Sequence, residues 1–328
     1  MSVSVSTVRG SVDVDSLGTT LMHEHIFVLN MEVMVNHPEI WDEDLRVDDA
    51  VQKLNELKAA GVDTIVDPTV IGLGRYIPRI QKVCAQTDIN VVVATGLYTY
   101  NDLPFYFSLR GPGTLLNGPE PMLDMFVRDI EEGIAGTGVR AGILKCATDA
   151  HGMTPGCERV IRAVAQAHRR TGVPITTHTD VHNRSGLDQQ RILREEGVDL
   201  SRVIIGHSGD STDLDYLQQL VDNGSYIGMD RFGIDVYLPT EQRVDTIVEL
   251  CRRGHANRMV LSHDASCWLD WVEPVSEELR QVMSPNWNYL HISRDVIPML
   301  LERGVSQVDV DQMMLHNPRE IFSVQGGY

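Results

Sequence analysis

Cysteine is scarce in this chain of 328 residues and follows no pairing pattern. The five cysteines are an odd number, and none belongs to a CxxC motif: Cys84, Cys146, Cys157, Cys251 and Cys267. This usage argues against a disulfide framework and predicts reduced thiols in a cytoplasmic protein. No signal peptide is visible, and no apolar run approaches the roughly 18 residues needed to cross a membrane. We therefore expect neither secretion nor membrane insertion.

Basic residues are also few relative to acidic ones. Lys and Arg total 28 against 46 Asp and Glu, which gives a formal net charge of −18. Nucleic acid and anionic membranes repel an acidic surface, so we expect neither as a partner. The hydrophobic fraction of 42% is enough for a large core. This composition predicts a globular protein that binds a small ligand.

Short apolar runs rich in Val and Ile alternate with amphipathic stretches along nearly the whole chain. Such continuous apolarity is typical of strands buried on both faces of a parallel sheet. The predicted strands are 19–25, 62–67, 91–95, 139–145, 173–178, 202–207, 225–230 and 258–264. The predicted helices are 48–60, 156–171, 187–196, 212–223 and 240–253, and a glycine follows each of them, as is usual at a helix C-terminus.

Eight strand and helix units predict an α/β fold, a (β/α)8 TIM barrel that forms one domain over residues 1–328. An open doubly wound sheet is the alternative. The GxGxxG phosphate fingerprint of that class is, however, absent between the first strand and the first helix. Residues 1–18 are expected to form a short β element before the barrel. Residues 265–288, with three of the four tryptophans, are expected to form a long loop after strand eight, and such loops usually serve binding.

The first predicted strand ends in a histidine pair, His23 and His25, separated by Glu24. In an extended backbone alternate side chains point the same way. Both imidazoles would thus face one side, and we expect Glu24 to face the other and to have a structural role. Two neighbouring imidazoles at a strand end can hold a divalent metal. Alone, the pair is also compatible with ordinary hydrogen-bonded histidines, so its interpretation depends on the other strand ends.

Ionisable and polar side chains stand at or just after the ends of the later predicted strands. They are Tyr98, Lys145, His178, His207, Arg231 and Asp264. The carboxyl ends of barrel strands converge on one rim, where the active sites of this fold lie. Each residue alone has an ordinary explanation, such as a helix cap for Asp264. Their agreement with the barrel topology favours a metal site.

Lys145 is the hardest of these residues to explain by packing. It ends the apolar run AGIL, where an unpaired ammonium is costly. Four imidazoles and one aspartate are too few ligands for two divalent ions. Burial and nearby dications would lower the pKa of this lysine, and its neutral amine could then take up carbon dioxide. The resulting carbamate is an anion able to bridge two metals about 3.5–4 Å apart.

The set His23, His25, Lys145, His178, His207 and Asp264 resembles the binuclear-metal amidohydrolase superfamily, specifically its phosphotriesterase branch. Within that branch the chain is most similar to the phosphotriesterase-like lactonases. The phrases GTTLMHEHIF, AGILKCATD, VIIGHSGDSTDLDYL, GMDRFGID and VLSHD carry the likeness along essentially the whole chain. Tyr98, Arg231 and the interval of 264 − 207 = 57 residues between His207 and Asp264 favour the lactonases over the organophosphate-degrading enzymes.

The resemblance implies a role for each residue of the site. His23, His25 and Asp264 would bind the more buried metal, and His178 and His207 the more exposed one. Carboxylated Lys145 (N6-carboxylysine) and a hydroxide would bridge both metals. Zn²⁺ is the expected metal, and Co²⁺, Mn²⁺ and Fe²⁺ also suit such a site.

The resemblance also implies a mechanism in which the bridging hydroxide attacks the lactone. Tyr98 would donate a hydrogen bond to the developing oxyanion or position the ring. Asp264 would carry a proton to the leaving alkoxide. Arg231 would orient Tyr98 and the loop after strand seven.

The implied activity is that of a lactonase that opens N-acyl-homoserine lactones (quorum quenching) and weakly hydrolyses phosphotriesters. The expected substrate-binding residues are Leu73, Tyr98, Tyr100, Arg231, Ile234, Val236, Tyr237 and Trp271, most of them around an acyl tail. The resemblance further implies a homodimer, formed through the apolar segment after His25. Three alternatives stay open: a primary phosphotriesterase, a cyclic-amide hydrolase, and a barrel that serves as a binding or scaffold protein.

Overall fold

Eight parallel strands form a nearly closed barrel in the computed structural model, which describes residues 3–271, 284–324 and 326–328. The barrel strands are β3 (Thr20–Leu21), β5 (Thr64–Asp67), β6 (Asn90–Gly96), β7 (Ile143–Ala147), β8 (Ile175–His178), β9 (Val203–Ile205), β10 (Tyr226–Met229) and β11 (Met259–Leu261). Neighbours in the barrel follow chain order, and the first and last strands approach where the Met22 N–H donates to the Leu261 carbonyl at 3.5 Å. The predicted (β/α)8 barrel is confirmed.

Helices surround the barrel and connect successive strands. They are α1 (Met31–Asn36), α2 (Glu43–Ala59), α3 (Ile77–Cys84), α4 (Phe105–Ser108), α5 (Pro121–Glu131), α6 (Pro155–Thr171), α7 (Ser185–Glu195), α8 (Leu214–Asp222), α9 (Thr240–Arg252), α10 (Ile297–Glu302), α11 (Gln307–Asp311) and α12 (Asn317–Ser323). Turns of π-helix, Ile292–Val296 and Gln312–His316, lead into α10 and α12. Short 3-10 turns lie at Val14–Ser16, Pro38–Ile40, Ile134–Gly136, Leu200–Arg202, Ser208–Asp210 and Ala256–Arg258.

Local chemistry explains where the helices begin and end. The Asp42 carboxylate accepts the Leu45 N–H at 3.1 Å and so starts α2 five residues before the predicted start. Thr154 caps α6 in the same way, through the Cys157 N–H. At the other end of α6, Gly172 has φ +77 and its N–H donates to the His168 carbonyl at 2.6 Å, which is the left-handed glycine stop. All five glycines predicted to end helices have positive φ.

The N-terminal β element is a hairpin of β1 (Ser4–Thr7) and β2 (Gly10–Asp13), as predicted. Two apolar layers hold the barrel together. One layer fills its interior with alternate strand residues such as Val66, Val92 and Ile204, and Phe322 packs against them. The second layer lies between the strands and the helices.

The predicted first strand, 19–25, is broken in the structure. Thr20–Leu21 pairs with β5, but the next piece, β4 (His25–Val28), pairs in parallel with β12 (Ser266–Leu269). The chain changes partner between these pieces, so residues 22–24 bend instead of continuing the strand. The predicted loop 265–288 therefore begins with a strand, and its residues 272–283 lie outside the described residues.

Several strands end at residues other than the predicted ones. Lys145 lies inside β7 and does not end it. His207 and Asp264 lie two and three residues beyond β9 and β11, with φ +60 and +53. These left-handed turns depend on contacts outside each segment, which a strand pattern does not encode.

The apolar segment after His25 begins inside the chain and becomes exposed only further along. Ile26, Phe27, Val28 and Leu29 are buried within the chain itself. Only further along, in α1, do Val33 and Val35 become exposed. Within the described residues no helix has both the length and the apolar character that crossing a membrane requires.

Candidate metal centre

A cavity of about 390 Å³ opens at the carboxyl ends of the barrel strands. All six residues expected to hold metal line it: His23, His25, Lys145, His178, His207 and Asp264. Ligand atoms of His23, His207 and Asp264 lie within 4.8 Å of one another, a grouping able to hold a metal ion. The barrel topology thus brings together side chains that are up to 241 (264 − 23) positions apart.

Asp264 faces the histidine pair across the cavity. Its Oδ1 lies 3.5 Å from His23 Nε2 and 3.3 Å from His25 Nε2. Two imidazole nitrogens and one carboxylate oxygen converge here. The break after β3 does not separate the histidines, whose ring centroids are 5.5 Å apart.

His178 and His207 form the other half of the cluster. Their facing nitrogens, Nδ1 of His178 and Nε2 of His207, are 2.8 Å apart. Burial lowers the pKa of His178 to about 4, so its ring is neutral near pH 7 and carries a lone pair suited to a metal.

Lys145 lies between the two halves and is only 1% exposed. Its Nζ is 3.3 Å from His23 Nε2 and 3.2 Å from the Thr177 carbonyl. Among the described residues no carboxylate lies within ion-pair distance of this amine. Burial lowers its pKa to about 8. A buried amine without an anionic partner, next to four imidazoles and Asp264, fits a carbamate ligand and divalent ions better than a permanent ammonium.

Each of the four imidazoles has its second ring nitrogen engaged outside the cavity. Asp230 lies 3.2 Å from His23 Nδ1 and 3.0 Å from His207 Nδ1. Asp149 lies 2.8 Å from His178 Nε2. Thr69 Oγ1 lies 2.7 Å from His25 Nδ1 and donates to Asp67 at 2.5 Å. Such partners fix which nitrogen faces the metal and orient the ring.

These outer acceptors were not predicted from the sequence. Asp67 and Asp230 are the last residues of predicted strands, and Asp149 follows Lys145 by four positions. Their predicted position at the same rim as the histidines was a signal that could have identified them. Only the structure distinguishes a carboxylate behind a histidine from one that caps a loop.

Arg231 has different partners from those expected. Its Nε donates to Asp264 Oδ2 and its Nη1 to Asp210 Oδ2, both at 3.0 Å. Asp210 in turn lies 2.6 Å from the guanidinium of Arg243. The guanidinium of Arg231 therefore orients Asp264, and it lies over the ring of Tyr237 at 4.9 Å.

Aromatic and aliphatic side chains form the rest of the cavity wall. Burial raises the pKa of the Tyr98 phenol, which keeps its proton, and its ring lies 5.3 Å from that of His178. Leu73, Ile234, Val236, Tyr237 and Trp271 line the cavity as expected, together with Val28, Ser266, Leu269, Ser284 and Trp287, which were not expected there. Tyr100 does not line it; this residue is 43% exposed and stacks on His151.

Comparison with known proteins identifies the family of this barrel. The sequence model of the phosphotriesterase family matches residues 3–322. The chain belongs to the phosphotriesterase family.

Relatives in this family match the chain over nearly its whole length. A phosphotriesterase homology protein of Mycobacterium tuberculosis is 62% identical over 325 residues, which cover 99% of each chain. An aryldialkylphosphatase of Saccharolobus solfataricus is 41% identical over 315 residues, 96% of this chain and 98% of the other. The solved structure of the Mycobacterium tuberculosis phosphotriesterase superposes with a TM-score of 0.97 and covers 99% of this chain and 100% of its own.

The phosphotriesterase family is hydrolytic, and its enzymes use binuclear metal centres. More distant relatives include an N-acetyltaurine hydrolase of Danio rerio, 25% identical over 353 residues, 96% of each chain. The cluster of His23, His207 and Asp264 marks where a metal centre of this phosphotriesterase-family chain would lie.

Proposed function

We propose that this chain is a metal-dependent lactonase that opens N-acyl-homoserine lactones, a quorum-quenching activity, and hydrolyses phosphotriesters weakly. The observation that carries the proposal is the apolar wall next to the cluster of imidazoles. Leu73, Ile234, Val236 and Trp271 line the same cavity as His178 and Lys145. A lactone with an acyl tail matches this combination, because its ring needs the polar end and its tail needs the apolar wall.

We propose that His23, His25 and Asp264 hold one divalent ion and that His178 and His207 hold the other, with carboxylated Lys145 between them. When bound, the ions would supply an activated water and polarise the ester carbonyl. Zn²⁺ is the metal we expect, and Co²⁺, Mn²⁺ and Fe²⁺ suit the same ligands. The neutral Lys145 amine would add to carbon dioxide, and loss of one proton would leave the carbamate.

The chain's own residues would complete the reaction. Tyr98 would donate its hydroxyl proton in a hydrogen bond to the oxygen of the reacting carbonyl. Asp264 would accept the proton that the attacking water loses and deliver it to the alkoxide as the ring opens. Arg231, which donates to Asp264 Oδ2, would keep that carboxylate turned towards the reacting groups.

The cavity is a poor match for an anionic amide such as N-acetyltaurine. A sulfonate needs a cation that is free to bind it. Among the described lining residues the lysine and arginine side chains are those of Lys145 and Arg231, and Arg231 is already paired with Asp210 and Asp264. This arrangement favours an uncharged substrate.

A primary phosphotriesterase is the second candidate, because a relative that is 41% identical is named aryldialkylphosphatase. The tetrahedral phosphoryl centre resembles the tetrahedral intermediate of lactone opening, so the two reactions can share one site. Phosphotriester hydrolysis would then be the main activity and not a side activity.

The test measures kcat/KM for an N-acyl-homoserine lactone and for an aryl dialkyl phosphate on the same metal-loaded preparation. We expect the lactone to be the better substrate and Asp264→Asn to lose both activities. A clear preference for the phosphate ester would contradict the lactonase assignment. Fewer than about one metal ion per chain in wild-type protein would instead favour a binding or scaffold role, since a two-metal site holds two.

A further inference from the structure

Glu24, between the two cavity histidines, is bonded on its far side to the segment that carries Asp264. The side chain is fully buried and does not line the cavity. Oε1 accepts the backbone N–H of His263 at 2.8 Å, and Oε2 accepts that of Ala265 at 3.0 Å. One carboxylate therefore binds the peptide groups on either side of Asp264.

Asp264 needs such support because its backbone is strained. Its φ of +53 lies in the left-handed region, which residues with a Cβ rarely adopt. Its own N–H donates to the His23 carbonyl at 3.1 Å, and its carbonyl accepts the indole N–H of Trp287 at 3.1 Å. Together with the two bonds to Glu24, these hydrogen bonds hold residues 263–265 in place.

The groups around Glu24 require a carboxylate and not an amide. The ring of His263 accepts the Ile292 N–H on Nε2, so its proton is on Nδ1, which donates to Glu24 Oε1 at 2.7 Å. Among the described residues, the three groups that hydrogen-bond to Glu24 are thus all donors. A glutamine would place its own amide N–H₂ against one of them.

We infer that Glu24 is a positioning residue that holds Asp264 in its left-handed conformation and thereby sets the geometry of the metal centre. The inference rests on the metal centre proposed above. The Glu24 carboxylate bonds the strand end that carries the histidine pair to the turn after β11. It therefore fixes the position of these two distant segments relative to each other.

The experiment compares wild-type protein with Glu24→Gln, each loaded with Co²⁺. One readout is the rate at which excess chelator removes Co²⁺, and the other is the visible absorption spectrum of the bound ion. We expect about 10- to 100-fold faster release, because losing an outer partner of a metal ligand usually lowers metal affinity by about that factor. The spectrum should also change, because it depends on how the ligands surround the ion. Circular dichroism establishes that the variant is folded.

Glu120→Gln is the matched control. Glu120 accepts the Met122 N–H at the start of α5 and pairs with Arg159 at 2.7 Å, and it does not line the cavity. This variant should lose stability but release Co²⁺ at the wild-type rate with an unchanged spectrum. If it altered both readouts as Glu24→Gln does, the effect would be one of stability and the inference would fail.

Two further variants decide the remaining outcomes. If Glu24→Gln does not fold, Glu24→Asp replaces it, because its shorter carboxylate cannot reach both the His263 and the Ala265 N–H groups. Wild-type release and spectrum in whichever variant folds would overturn the inference. Asp264→Asn tests the metal centre separately: if it loses metal while Glu24→Gln does not, the centre stands and only the role of Glu24 is wrong. Full metal retention in Asp264→Asn would contradict the centre itself.

Discussion

At the scale of single residues, Lys145 combines burial with the lack of a carboxylate partner among the described residues. We predict that Lys145→Ala abolishes lactone hydrolysis and metal binding, because the proposed carbamate bridge is lost. Added acetate or propionate should restore part of both by taking the place of the bridge. The measurements are hydrolysis rate and metal content with and without the carboxylate.

Lys53→Ala provides the matched control for that experiment. Lys53 pairs with Asp49 at 2.8 Å on α2 and does not line the cavity. Its loss should leave hydrolysis and metal content unchanged. Full activity of Lys145→Ala without any added carboxylate would remove Lys145 from the mechanism.

The residue types in the site could be predicted better than their partners. The rule that parallel strands end at one rim placed His178 and His207 next to the histidine pair. It could not assign Arg231, whose guanidinium reaches Asp210 and Asp264. Asp210 lies just beyond the left-handed turn at His207, and no sequence pattern in a single chain encodes that turn.

At the scale of elements, two helix-ending glycines offer a matched comparison. Gly172 after α6 and Gly254 after α9 both have positive φ. A Cβ at Gly254 would meet nothing within 4 Å, but one at Gly172 would overlap the carbonyl oxygen of Gly326. We predict that Gly254→Ala lowers the free energy of unfolding by about 1–2 kcal/mol, the cost of a left-handed alanine. Gly172→Ala should cost clearly more.

Chemical denaturation of both variants and the wild type measures these differences. Equal losses would mean that the contact with Gly326 is not made in solution. The glycine pattern in the sequence predicts the same loss of stability at both positions. A difference between the two losses therefore measures the contact that only the structure shows.

Element types were predictable because apolar runs and glycine stops are local signals. Which strands pair with each other is not determined by the local sequence. The stretch 19–25 has the composition of one strand, yet Thr20–Leu21 pairs with β5 and His25–Val28 pairs with β12. The break is determined by the pairing of His25 with Ser266, which lies 241 positions away (266 − 25).

At the scale of the whole molecule, the buried His168 links stability to pH. Its Nδ1 donates to the Val173 carbonyl at 2.7 Å, and its Nε2 lies 2.8 Å from the Tyr328 hydroxyl. Burial lowers its pKa from 6.5 to about 4. Between these values the unfolded chain binds a proton that the folded chain does not, so stability falls as the pH drops from 6.5 towards 4. The loss is on the order of 3 kcal/mol.

Urea unfolding at pH 7 and pH 4.5 tests this prediction with His168→Asn, whose amide keeps a donor near the Nδ1 position. The wild type should lose more stability between the two pH values than the variant does. The same loss in both proteins would assign the acid sensitivity to other groups.

We also propose that the chain forms a homodimer. The first part of the expected interface, residues 26–29, is buried within the chain, whereas Val33 and Val35 further along are exposed. Exposed apolar side chains in the region after β6, such as Phe105 at 79% and Leu115 at 81%, are candidates. Light scattering during size-exclusion chromatography should give twice the mass of one chain for the wild type and a smaller mass for Phe105→Asp with Leu115→Asp. A wild-type mass of one chain would contradict the dimer.

The pairing of β12 with β4 has a consequence for how substrate preference can change during evolution. Trp268 and Leu269 are in register with Phe27 and Val28, and this strand lies between Asp264 and residues 272–283. Leu269 and Trp271 line the cavity, so changes at these positions can alter what it accepts while the paired strand keeps Asp264 in place. An engineer who replaces Trp271 or Ser284, which line the cavity, should obtain altered specificity without having to rebuild the reaction centre.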